Sequence, residues 1–141
     1  MMPAASSARP DAAVVDASAL VEALLSTAVG LAVRGRMRGR LLHAPAHLDA
    51  EVLSALGRLH RAGELAASTI AAALDELTGA PIRRHPLAPL LSGAWQRREE
   101  LRLVDALYVE LAVELDQLAL LSTDRRLARA SPLVELIAAS P

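Results

Sequence analysis

The chain has 141 residues, enough for one domain that buries roughly two-thirds of its unfolded surface and too few for two ordinary ones. Hydrophobic residues make up 53 % and charged residues 22 %, which excludes a disordered chain, and with one Trp, one Tyr and no Phe the composition argues against reading nucleic acid by stacking on aromatic platforms. There is no Cys and, since all 15 basic residues are Arg, no Lys; this removes disulfides, thiolate metal sites, cysteine nucleophiles, Schiff-base chemistry and a P-loop lysine, while a net charge of −1 offers no global pull on nucleic acid.

Met1 to Asp11 is small and polar, with Pro3 and Pro10, and lacks the basic start and apolar stretch of a signal peptide. It reads as a frayed leader over residues 1–11, ahead of a single domain over residues 12–138. The longest uncharged run, Ala23 to Val33, falls short of the ~20 residues a membrane helix requires, so a cytoplasmic protein without a membrane partner is expected. Mean hydropathy is +0.33, which fits either an Ala-rich composition or apolar surface covered by another chain.

Ala12-Ala13-Val14-Val15 is an apolar run without alternation, as expected of a strand buried on both faces, and it ends in Asp16. Ser18 is placed to cap a helix in which Leu20, Val21, Leu24, Leu25, Val29 and Val33 recur at helical spacing until Gly35 and Gly39. Leu41 to Ala44 reads as a second strand. Two helices follow, Ala46 to Ala62 closed by Gly63 and Leu65 to Leu77 ended by Gly79. Residues 81–86, bracketed by Pro81 and Pro86, read as a short edge strand. The remaining pattern predicts helices over Leu87–Arg102 and Val104–Leu115, a buried strand over Leu118–Ser122, a short helix over Asp124–Ala130 and a last strand over Leu133–Ile137. Strands alternating with helices predict parallel pairing in an α/β sandwich.

Acids normally face solvent, so the informative ones are those embedded in apolar runs. Asp16 and Asp124 each follow a strand, Glu51 lies between Leu48 and Val52-Leu53, and Asp105 follows Val104 at a helix start. Ligands of an open α/β sheet bind at the carboxyl ends of its strands, where Asp16 and Asp124 project. Carboxylates gathered there repel one another unless an oxygen-loving divalent cation offsets the charge, and without Cys that cation is Mg²⁺ or Mn²⁺. Such an ion suits phosphodiester hydrolysis. On the residues alone, the alternative is a set of unrelated helix caps and partly buried acids.

Four segments carry a family resemblance: Val14-Val15-Asp16-Ala17-Ser18-Ala19-Leu20, Asp49-Ala50-Glu51-Val52-Leu53-Ser54-Ala55-Leu56, Val104-Asp105-Ala106-Leu107-Tyr108-Val109-Glu110-Leu111-Ala112 and Leu121-Ser122-Thr123-Asp124-Arg125-Arg126-Leu127. Together, in this order, they resemble the PIN domain, and more narrowly the VapC toxins of VapBC toxin–antitoxin pairs. The resemblance implies a three-layer sandwich with a parallel sheet ordered 3-2-1-4-5, and a Mg²⁺-dependent endoribonuclease in which Mn²⁺ can substitute. It implies Asp16, Glu51, Asp105 and Asp124 as the catalytic acids; Asp16 and Asp124 are expected directly on the metal, Asp105 on it directly or through a water, and Glu51 is expected to orient or deprotonate the attacking water, with direct ligation as its alternative. Ser18 and Ser122 match hydroxyl positions that support the acids. A VapB-type antitoxin, an RNA substrate and a toxin homodimer are the implied partners. The competing reading is a PIN-fold RNA- or protein-binding module without catalysis.

Arg34, Arg36, Arg38 and Arg40, then Arg97, Arg98 and Arg102, then Arg125, Arg126 and Arg129 form basic clusters; Arg125 and Arg126, next to a ligand candidate, are the preferred RNA contacts. Asp49, Glu110, Glu114 and Asp116 are expected on solvated faces, His43, His47, His60 and His85 in structural or exposed positions, and Trp95 and Tyr108 in the core.

Overall fold

The computed structural model describes residues 11–139. Five parallel strands, β1 (Ala12–Val15), β2 (Leu41–Pro45), β3 (Ile82–His85), β4 (Ala119–Ser122) and β5 (Val134–Leu136), form one sheet in the order β3-β2-β1-β4-β5. The order and the parallel pairing agree with the sequence expectation. Parallel strands need crossovers, and among the described residues these supply α1 (Ala17–Leu25), α2 (Ala28–Met37), α3 (Leu48–Arg61), α4 (Ala67–Gly79), α5 (Leu91–Gln96), α6 (Leu103–Glu114) and α7 (Arg125–Ala130). Of the leader expected over residues 1–11, only Asp11 lies within the described residues; its carbonyl accepts from the Leu41 N–H at 2.8 Å and its carboxylate meets Arg40.

Ala13, Val14 and Val15 are fully buried, so successive side chains on both faces of β1 are covered, as a central parallel strand requires. On α6, Ala106 through Val109 and Leu111-Ala112 are all buried, because this helix lies against β1, β2 and β4 with α5 beside it. α1 packs on α2, α3 and α4.

Three expectations need correction. The single helix over Leu20–Val33 is two helices bent by 112°: Ser26 adopts a left-handed conformation (φ 53°) and Thr27 caps α2, its hydroxyl donating to Glu22 while accepting from the Gly30 N–H. Gly30 makes the bend possible, because a Cβ there would stand 1.9 Å from the Glu22 carbonyl oxygen. The N-cap of α1 is Asp16 and not Ser18, which lies inside the first turn. The helix over Leu87–Arg102 shrinks to a 3₁₀ turn at Ala88–Leu90 and the short α5, because the charged Arg97 to Glu100 offer no apolar stripe to extend it. Among the described residues no single helix is long and apolar enough to cross a membrane.

Candidate active site

The strand order reverses at β1, which has β2 on one side and β4 on the other, and a cleft opens at the carboxyl ends of β1 and β4. Asp16 is fixed there. Its backbone N–H donates to the Leu121 carbonyl at 3.1 Å, continuing the β1–β4 ladder, and its Oδ1 accepts from the Ala19 N–H at 2.9 Å and the Ser18 hydroxyl at 2.7 Å. The side chain that begins α1 is therefore also the first acid of the cleft.

Ser18 and Ser122 tie the two strand ends together. Ser18 Oγ accepts from the Thr123 N–H at 3.2 Å and stands 3.4 Å from Ser122 Oγ, which accepts from the Asp124 N–H at 3.0 Å. Asp124 caps α7, its Oδ1 accepting from the Arg126 and Leu127 N–H groups. Glu51, in the first turn of α3, accepts from the Tyr108 hydroxyl at 2.7 Å. Asp105, in the first turn of α6, pairs with Arg102 Nε at 3.0 Å. All four acids line the same cleft of about 290 Å³.

Burial pushes the Asp16 carboxyl up from 3.8 to about 6, against the lowering effect of hydrogen bonds from Ser122, Ala19 and Ser18, and the nearby charge of Asp124 adds to the rise. A carboxylate this buried, facing other acids, is the group a bound cation would relieve most. The donor set fits a hard divalent ion, since it consists of carboxylate oxygens with no thiolate. Among the described residues, however, no three His, Cys, Asp or Glu side chains stand close enough together to ligate one ion. Local partners explain the spread: Arg102 holds Asp105, the α7 amides hold Asp124 and Tyr108 holds Glu51. Arg102 is 74 % exposed, so exchanging it for an ion at Asp105 requires only a surface side-chain rotation.

The cleft also contains residues that sequence reasoning did not assign to it. Glu22, Arg58, Arg102 and Tyr108 line it. Helical spacing carried the signal: Glu22 is four residues after Ser18, Arg58 seven after Glu51, and Arg102 and Tyr108 three to either side of Asp105. Tyr108 is buried, as expected, but its hydroxyl belongs to the cleft, whereas Trp95 is not core: it is 54 % exposed with Arg98 stacked on it. Glu110 is not on a solvated face and reaches no acid of the cleft; Arg97 holds it at 3.1 Å, with 14 % of its side chain exposed. Arg126 lines a smaller hollow beside the cleft together with Arg102, Asp105 and Asp124, and Arg125 does not. In the first basic cluster, Arg34 pairs with Glu76, Arg36 with Glu135, and Arg40 with Asp11 and Glu135.

Residues 13–132 match the PIN domain family. Over 132 residues the chain is 56 % identical to Ribonuclease VapC3 of Mycobacterium tuberculosis, covering 93 % of this chain and 96 % of that protein. It belongs to the VapC ribonucleases of the PIN-domain family. A second relative, Ribonuclease VapC12 of the same organism, is 38 % identical over 116 residues, 82 % of this chain and 89 % of its own. Among solved structures, PAE2754 from Pyrobaculum aerophilum superimposes with a TM-score of 0.63 at 25 % identity, covering 88 % of this chain and 83 % of that one. Mycobacterium tuberculosis VapC20, described as a Sarcin-Ricin loop cleaving toxin, gives 0.64 at 19 % identity over 85 % and 95 %. A toxin–antitoxin complex from Klebsiella pneumoniae gives 0.60 at 18 % over 88 % and 96 %. The last two likenesses speak to the fold alone.

Proposed function

We propose that this VapC ribonuclease hydrolyses RNA phosphodiester bonds in the cleft lined by Asp16, Glu51, Asp105 and Asp124, with Mg²⁺ as cofactor and Mn²⁺ as a substitute. The observation that carries the reading is the position of Asp16, buried and pinned to β4 at the reversal of strand order, with Glu51, Asp105 and Asp124 among the acids around the same cleft. Asp16, Asp105 and Asp124 would hold the ion, which when bound polarises a phosphoryl oxygen and acidifies water. Ser18 orients Asp16 through its hydroxyl, and Ser122 sets the turn into Asp124. Glu51 orients the attacking water and accepts its proton. Arg102, released from Asp105, and Arg126, on the rim, are placed to meet the RNA backbone; Arg125, which does not line the hollow, is the weaker contact.

The reading extends to a toxin that acts in the cytoplasm under the control of a VapB-type antitoxin. Its support is an apolar groove of about 650 Å³ lined by Leu20 and Leu24 of α1, Met37 of α2 and Leu42 of β2, with Asp75 and Glu76 of α4 on its wall, the kind of surface an amphipathic partner segment fills. Exposed Leu91, Trp95 and Leu103 give a homodimer apolar surface to cover. The enzymatic reading is tested by incubating purified protein with RNA. Cleavage is expected with Mg²⁺ or Mn²⁺, and is expected to stop with EDTA and in Asp16→Ala; unchanged cleavage in excess chelator would contradict the mechanism.

A further inference from the structure

Two rings meet the Glu51 carboxylate, Tyr108 from α6 and His47 from the N-cap of Glu51's own helix α3. Tyr108 stands three residues after Asp105 on α6, on the same helical face, and its hydroxyl donates to Glu51 Oε1 at 2.7 Å. The ring is 1 % exposed, so the hydroxyl cannot swing away to another partner. His47 precedes α3 by one residue and lies four before Glu51. Its ring packs on Tyr108 with centroids 4.8 Å apart, and its Nε2 stands 2.9 Å from the Val104 carbonyl oxygen and 3.3 Å from Glu51 Oε1. A carbonyl oxygen only accepts, so Nε2 carries the proton, and that N–H is directed at the start of α6 and faces the same carboxylate oxygen.

Oε1 is thus occupied. Among the described residues Oε2 takes no hydrogen bond, which leaves it as the oxygen that can meet a water in the cleft. The bond to Tyr108 and the contact from His47 link the amino end of α3 to the amino end of α6, the two helix starts that carry Glu51 and Asp105. A Glu side chain free to sample its rotamers would lose that freedom during each turnover; one already held loses none.

We propose that Tyr108 and His47 are positioning residues that hold Glu51 through Oε1 and so present Oε2 to the attacking water. This rests on the reading of Glu51 as the group that orients that water, and it goes beyond it in assigning the residues that aim it. Neither residue touches RNA or the metal in this account; both act only through Glu51.

The test is single-turnover cleavage of a labelled RNA of mixed sequence with Mn²⁺, by wild type, Tyr108→Phe, Glu51→Gln, the double variant, His47→Leu and His47→Gln, with thermal melting of each. Phe keeps the ring and removes only the hydroxyl. The expected result is a fall in the cleavage rate on the order of tenfold for Tyr108→Phe with unchanged RNA affinity, and no further fall when Tyr108→Phe is added to Glu51→Gln. His47→Gln, which keeps an N–H near the Nε2 position, should recover rate relative to His47→Leu. Equal losses from Tyr108→Phe with and without Glu51, or losses that follow melting temperature alone, would overturn the proposal and leave the role of Glu51 standing. Full activity in Glu51→Gln would instead overturn the reading of Glu51, and the proposal with it.

Discussion

At the carboxyl ends of the strands, five acids share a cleft with Arg58 and the exposed Arg102, and one of those acids, Asp16, is buried with its carboxyl pushed up to about 6. At the amino end of β2 the charges are matched: Arg40 bridges Asp11 and Glu135, and Arg36 takes the other oxygen of Glu135. The two regions use the same residue types to opposite ends. Where every charge has a partner close by, the ion pairs are surface features of small energetic weight. Where acids outnumber their partners and one is buried, folding has left a cost that a ligand can relieve. The contrast locates the chemistry at the carboxyl edge, although a roomier groove of about 650 Å³ lies elsewhere, between α1, α2 and α4.

The strongest way to break this contrast is to remove the buried acid. Asp16→Ala should lower RNA cleavage by on the order of a thousandfold or more, whereas Glu135→Ala, at the matched end, should leave the rate unchanged; a comparable loss from both would erase the distinction. Stability should respond in the reverse sense. With a folded value near 6 against an ordinary 3.8, Asp16 keeps its proton in the folded chain while the unfolded chain has lost it, so stability falls as pH rises from about 4 to about 6. At neutral pH in chelator the cost is about 3 kcal/mol, and Asp16→Asn should recover much of it in denaturant melts. A variant no more stable than wild type would show that the burial is compensated.

Smaller effects sharpen the picture further. The sole tyrosine, Tyr108, is held well above its ordinary 10 by burial and then by Glu51, so the folded chain should resist ionisation and lose stability as pH rises past about 10. Tyrosinate absorbance followed alongside circular dichroism checks this: the two should change together. His43 Nδ1 and His85 Nε2 stand 2.9 Å apart on neighbouring strands, and burial lowers both values, with Arg83 opposing a proton on either ring and His43 opposing one on His85. The folded chain therefore binds these protons less readily than the unfolded one. Stability should decline as pH falls below about 6.5, and His43→Gln should flatten that limb. Least of all, Arg36→Ala should cost at most about 0.5 kcal/mol.

The sheet was legible because a strand buried on both faces leaves an uninterrupted apolar run, as at Val14-Val15 and Leu120-Leu121, and because each of those runs leads into an acid that caps the next helix. That placement put Asp16 and Asp124 at one edge; Glu51 and Asp105, on helix starts, joined them in the sequence reading only through the family resemblance, and all four line one cleft. The break between α1 and α2 was not legible from periodicity, since Ser26-Thr27 interrupts a stripe whose apolar spacing continues across it; the signal lay in Gly30, which must pass against the α1 backbone. Trp95 misled because residue type predicts the core only on average, and here Arg98 covers its face. The partners of the acids were hidden for a different reason. Arg102 was read as part of a basic cluster and Tyr108 as core, yet each lies one helical turn from Asp105, and only the hydrogen bond from the Tyr108 hydroxyl shows that it serves Glu51.

The most direct measurement of the central claim is calorimetric titration of the apo protein with Mn²⁺ at neutral pH, in wild type and in Asp16→Asn. Saturable binding in wild type that is lost in the variant is the predicted result. Equal binding in the two proteins, or none in either, would contradict the claim that the buried acid at the β1–β4 reversal is the seat of a divalent ion.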